Sequence, residues 1–169
     1  MKKYFAFVIA LTLGFSAVAQ KKEIKTAAKE LDKGNFEKAS AALDAAEALL
    51  GSMDEKYKSQ YYLYRSMYYL NNGEPDFSTI KKSIEALKLV TAPAQEKEVK
   101  NQTQNLKAHL VNKGSSLLQT DEYETSSSYF ESAYKLSPND TVYLFYAAST
   151  AVNAKLYDRS LAMYEELRS

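Results

Sequence analysis

LVNKGSSLLQTDEYETSSSYFESAYKLSPNDTVYLFYAASTAVNAKLYDRSLAMYEEL, residues 110–167, writes one pattern twice in the same register. Tyr123 recurs as Tyr157, Ser126 as Ser160, Phe130 as Tyr164 and Gly114 as Ala148, each 34 positions on (157 − 123 = 34). A period of this size marks an array of like units, each burying its apolar face against the next. Pro138, with Asn139 and Asp140 behind it, falls where one unit stops and the next begins, because proline lacks an amide donor and disfavours helix in the residue before it. Inside the copies the apolar positions recur at helical spacing. Leu110, Gly114, Leu117 and Leu118 serve one helix, and Phe130, Ala133 and Leu136 the next. Leu144, Ala147, Ala148 and Ala151 are then followed by Tyr157, Leu161, Tyr164 and Leu167.

Upstream, Ile24, Ala27, Ala28 and Leu31 share one helical face, and Phe36, Ala39, Leu43, Ala46 and Leu50 another. The short Gly34-Asn35 link makes these two helices antiparallel neighbours. Met53 to Asn72 is a further helix, rich in tyrosine at 57, 61, 62, 64, 68 and 69. A turn at 71–76 separates it from the clean stripe Phe77, Ile80, Ile84 and Leu87. Thr91-Ala92-Pro93 opens a long helix over Ala94–Gln119. Its polar front, QEKEVKNQTQN at 95–105, is expected to project into solvent with only Val99 and Leu106 to dock it.

The string GNFEKA at 34–39 places a helix-closing glycine, an aromatic helix start and a small alanine as tetratricopeptide repeats do, and the 34-residue period is theirs too. The chain resembles that family over nearly all of residues 21–169. The third and fourth units resemble it most, while the second departs from it, with a turn about two residues longer. Phe36 to Phe77 is 41 positions rather than 34. The resemblance implies an all-α, right-handed α-solenoid of about four antiparallel helix pairs, near 21–50, 54–90, 94–137 and 140–168.

It also implies an inner surface lined by the first helix of each pair, holding a peptide or a partner's helix. The family pattern puts Ile24 and Ala28, then Leu63, Met67 and Asn71, Val111, Ser115 and Gln119, and Phe145, Ser149 and Asn153 on that surface. This lining is apolar with small polar gaps, and it lacks the lysine and asparagine set with which some members clamp a C-terminal carboxylate. Acidic chaperone tails are therefore not expected as ligands. The tyrosine cluster from Tyr57 to Tyr69, with Tyr61 and Tyr64 at its centre, offers a second binding element, since rigid amphipathic rings supply contact area at low entropic cost. Equally, tyrosine packs its ring between helices while its hydroxyl reaches water.

With 46% hydrophobic and 25% charged residues the 169-residue chain has an ordinary globular composition, and five Gly and three Pro favour helix over a turn-rich β fold. Lys2 and Lys3, an apolar core to about Phe15 and Ala17-Val18-Ala19 read as a secretory leader over residues 1–19, cleaved after Ala19. Its apolar run is shorter than a bilayer span, so no stable membrane insertion is expected after cleavage. Taking Lys2 and Lys3 from 22 basic residues leaves 20 against 21 acidic ones, a balance without the basic excess that nucleic-acid binding needs. Absence of cysteine excludes disulfides, thiolate metal sites and lipidation at a cysteine.

His109 is the one histidine, too few for a histidine metal site, and its spacing to Ser115, Ser116 and Asp121 gives no support to a catalytic triad. No cofactor is implied. The residues thus point to a non-catalytic scaffold that binds a protein or peptide in the bacterial cell envelope, periplasmic or secreted. Two alternatives stay open, a helical carbohydrate-binding protein of the outer surface and the docking domain of a longer enzyme. Against the first stands the absence of Trp, which stacks on sugars. For the second, the chain ends on an apolar helix where solenoids carry a polar cap, so that either a longer chain or a dimer must cover it.

Overall fold

The computed structural model describes residues 18–168, which are all helical apart from turns and connections. Helix α1 covers 18–32, α2 Phe36–Glu47, α3 Glu55–Asn71 and α4 Phe77–Lys88. The long α5, Glu96–Leu118, follows, then α6 Tyr123–Leu136, α7 Thr141–Asn153 and α8 Tyr157–Glu166. Single 3₁₀ turns lie at Leu50–Ser52 and Pro93–Gln95. The leader expected at residues 1–19 lies outside the described residues except for Val18 and Ala19, the first described residues of α1. Among the described residues no helix is long and apolar enough to cross a membrane.

One turn geometry closes three of the four helix pairs. Gly34, Asp121 and Lys155 take positive φ of 69°, 59° and 59°. The amide of the following residue then donates five residues back, Asn35 to Glu30 at 2.8 Å, Glu122 to Leu117 at 3.0 Å and Leu156 to Ala151 at 2.9 Å. These bonds satisfy carbonyls that the ending helix leaves open, as in a Schellman cap. The α3–α4 link differs. It spans the five residues 72–76 against three at 33–35, and Asp76 starts α4 by accepting from the Thr79 amide at 2.7 Å.

The chain divides between Gln102 and Thr103 into two compact units. In the first, Ile24, Ala27, Ala42, Leu43, Ala46, Met53 and Tyr61 form a core with Tyr57, Tyr62, Tyr64 and Tyr68 packed against it. Arg65 is buried beside this core and donates to Asp44 and Glu47, each at 2.6 Å, and to the Tyr61 hydroxyl at 3.1 Å, which ties α3 to α2. Burial works against its charge, but the bonds to Asp44, Tyr61 and Glu47 outweigh it and hold the guanidinium above its ordinary value. Burial likewise pushes the Tyr61 phenol up to about 12.

The polar front of α5 is largely exposed, at Glu96, Lys97, Glu98, Lys100 and Asn101, but it docks through two glutamines that the apolar pattern does not mark. Gln95 is buried, and Gln102 is only 3% exposed, its amide donating to Ser66 Oγ at 3.2 Å. Ser66 in turn meets Ser83 Oγ at 3.0 Å. Small hydroxyls let helices approach and then supply partners for a glutamine, so a polar side chain packs where apolar periodicity gives no signal.

In the second unit Phe130, Leu144, Ala147, Ala148, Ala151 and Met163 form the core. Buried serines bond the carbonyls of neighbouring helices: Ser126 to Gly114 at 2.8 Å, Ser127 to Ala147 at 2.8 Å and Ser160 to Ala148 at 2.9 Å. Gly114 has to be small, because a Cβ there would stand 3.2 Å from two Phe130 ring carbons and 3.3 Å from Tyr129 Cβ.

Candidate functional site

Helices α1 and α3 border a groove of about 600 Å³ within the first unit. Its α1 wall carries Ile24 and Ala28 at the base, with Lys21, Lys25, Lys29, Asp32 and Lys33 around them. The α3 wall supplies Lys56, Tyr57, Gln60 and Tyr64. The physical origin is simple. On α1 the four lysines fall four residues apart, so they share one side of the helix, and Ile24 and Ala28 beside them turn toward α3. On α3, positions 57, 60 and 64 form one face at helical spacing.

Both tyrosines are half-buried, with their rings packed against the core. Burial, then the charges of Asp32 and Glu98, hold the Tyr64 phenol above its ordinary range, so it stays a neutral hydroxyl that can donate or accept. Lys33 pairs with Glu30 at 3.2 Å. Among the described residues, Lys21, Lys25, Lys29 and Lys56 have no carboxylate at ion-pair distance.

The residues expected to line a binding surface are placed as follows. Ile24, Ala28 and Tyr64 are at this groove. Tyr61 and Leu63 are 4% and 1% exposed and serve packing, so neither presents a surface to a ligand. Met67 is half-buried, and Asn71 is exposed with its amide donating to the Met67 carbonyl at 2.9 Å. The α3 side that meets α1 is therefore 57, 60 and 64 rather than 63, 67 and 71. The longer α3–α4 turn breaks the repeat spacing on which the transferred positions depended. The lining is also not apolar with small polar gaps. Five lysines and one aspartate surround its floor.

In the second unit Val111 packs against the core, while Ser115 is exposed on α5 and Gln119 in the turn after it. Phe145 is half exposed and meets Tyr164 edge-on at 6.2 Å between ring centroids. Ser149 is half-buried and donates to the Tyr146 carbonyl at 3.1 Å, and Asn153 is exposed. Val142, Tyr146 and Val152 are exposed with Phe145 on α7, and Tyr157 and Leu161 add further exposed apolar side chains from α8.

Lys25, Lys29, Lys56 and Gln60 are the groove residues that apolar periodicity passes over. A row of lysines at i, i+4 and i+8 is legible in sequence, but as a charged face like any other. No family model, no curated protein and no solved structure matches the chain.

Proposed function

We propose that this chain is a non-catalytic scaffold of the tetratricopeptide type, a right-handed solenoid of helix pairs that holds a segment of a partner protein. The observation that carries the proposal is the groove between α1 and α3, the first helices of successive pairs. Its apolar base at Ile24 and Ala28, its two tyrosine rings and the Gln60 amide combine contact area with hydrogen-bonding groups for a main chain. Both walls are helices rather than loops, which suits a preformed site. The recurrence of one capped turn at Gly34, Asp121 and Lys155 supports the repeat reading. So does the serine–carbonyl bond made twice at the 34-residue period. The leader-like composition of residues 1–19 supports a location outside the cytoplasm, in the periplasm or beyond.

Site-specific photocrosslinking tests this. A photoreactive side chain at Gln60 in the full chain, activated in cells, should give discrete protein adducts that Ala28→Glu abolishes without loss of helical circular dichroism. Absence of any protein adduct from this position, together with saturable binding of glycans by the purified chain, would replace the scaffold with the carbohydrate-binding alternative.

A further inference from the structure

From the groove's charge and spacing, and resting on the peptide-binding proposal, we infer that its ligand is an extended acidic segment, with carboxylates on alternate residues facing α1 and apolar residues between them facing α3. The charge is local. The chain as a whole carries a formal +1, whereas the groove is lined by five lysines and one aspartate, with Lys33 paired to Glu30 and Glu98 near enough to act on Tyr64. Lys21, Lys25 and Lys29 have no carboxylate at ion-pair distance among the described residues. Their charges are thus unopposed by carboxylates at that range, and a cleft lined by one sign of charge raises the local concentration of the opposite one.

Spacing selects the conformation. Residues four apart on a helix are about 6 Å apart along its axis, and same-side residues of an extended chain are about 6.7 Å apart. An extended segment with an acid at every second position therefore keeps step with Lys21, Lys25 and Lys29 over that run. Its other side then points at Tyr57 and Tyr64, whose rings cover apolar side chains, while Gln60 can bond the main chain. Lysine rather than arginine lines the groove, which favours single carboxylates over the bidentate recognition of phosphate or sulfate groups.

Fluorescence anisotropy with the intact chain tests this. The probes are a labelled peptide of about ten residues alternating Glu with Leu or Tyr, the same peptide with Gln for Glu, and dextran sulfate as a competing polyanion. The acidic peptide should bind about tenfold or more tighter than its Gln form at low salt and weaken as salt is raised. The double variant Lys25→Glu/Lys29→Glu should lose about tenfold or more in affinity, Lys25→Arg/Lys29→Arg should retain most of it, and Lys81→Glu/Lys82→Glu on α4 should leave it unchanged. Since Lys25 and Lys29 are exposed, the charge reversal should leave the melting temperature near that of the parent. Equal binding of the Gln peptide, lost on Ala28→Glu, would refute the acidic preference and leave the groove as a peptide site. Binding of dextran sulfate but not of the peptide would overturn the peptide assignment in favour of a polyanionic glycan. No binding of either, with no adduct from Gln60, would overturn both proposals.

Discussion

Ser126 Oγ donates to the carbonyl oxygen of Gly114 at 2.8 Å, and 34 residues later Ser160 makes the same bond to Ala148 at 2.9 Å. Each bond crosses from the second helix of a pair to a small residue on the first, Gly114 or Ala148. Ser126→Ala and Ser160→Ala should each cost about 1 kcal/mol, the usual net worth of a buried hydrogen bond. Gly114→Ala should also lower stability, because the added methyl meets the Phe130 ring at 3.2 Å and the crowding outweighs the gain in helix propensity. Urea denaturation of the three variants checks this, and an Ala at 114 that stabilises the chain would show that Phe130 can yield.

Lys155 sits at φ 59°, where Gly34 closes the first pair at 69°. A side chain in that region carries a penalty that glycine lacks. Lys155→Gly should therefore raise stability by up to about 1 kcal/mol, whereas Lys155→Ala should bring no such gain. Thermal melts of the two variants distinguish backbone relief from simple loss of the lysine. Asp121 is the less clean site for the same change, because its carboxylate also accepts from the Tyr123 hydroxyl.

The cluster around Arg65 is asymmetric. Its guanidinium is buried, whereas the Asp44 and Glu47 side chains are more than half exposed. Removing the arginine lets both carboxylates rehydrate, but removing both carboxylates strands a buried charge. Asp44→Asn/Glu47→Gln should accordingly cost more, at about 2–3 kcal/mol, than Arg65→Met at about 1–2 kcal/mol, both figures being reduced by the solvent around the acids. Chemical denaturation at neutral pH gives the order directly. Tyr61→Ala should be more damaging than Tyr64→Ala, since Tyr61 lies in the core and its hydroxyl accepts from Arg65.

Glu131 in α6 accepts from Arg159 at 2.5 Å and from Lys135. Burial alone would raise its pKa, but Lys135 and Arg159 outweigh it and hold the carboxyl below its ordinary 4.5. A carboxylate with a depressed folded pKa contributes stability that is fully present above the unfolded value and is lost as pH falls through the folded one. Glu131→Gln should therefore destabilise the chain at pH 7, by no more than about 1 kcal/mol given the partial exposure. The gap to the parent should close below about pH 4.5. Melting temperatures of both proteins from pH 7 to pH 3 test this, and a gap that widens on acidification would contradict it.

Helix content, the pairing intervals and the packing stripes of α6 and α7 were legible from sequence, because apolar residues at 3.6-residue spacing and breakers between them are local properties. Of the stripe expected for α8 only Tyr164 and Leu167 pack against the core, while Tyr157 and Leu161 are exposed. Ile24, Leu43, Ile80, Leu110 and Leu144 are buried as that spacing requires. The candidate site was only half legible. Ile24, Ala28 and Tyr64 could be named in advance, but Lys56 and Gln60 beside Tyr64 on α3 were not, since apolar periodicity gives no signal for a polar lining residue.

By itself, then, the sequence determined an all-helical chain, the 34-residue period and the glycine that closes its first turn, because propensity, capping and periodicity act between near neighbours. Tertiary structure alone decided which polar residues go inside and which charges meet. Arg65, Ser66 and Gln102 are buried because they find partners 17 to 36 residues away, on other helices. Likewise Lys25 and Lys56 become one groove only when α1 and α3 lie side by side. The pattern in residues 110–167 names the places where helices touch, and the touching itself brings distant side chains within reach of a common ligand.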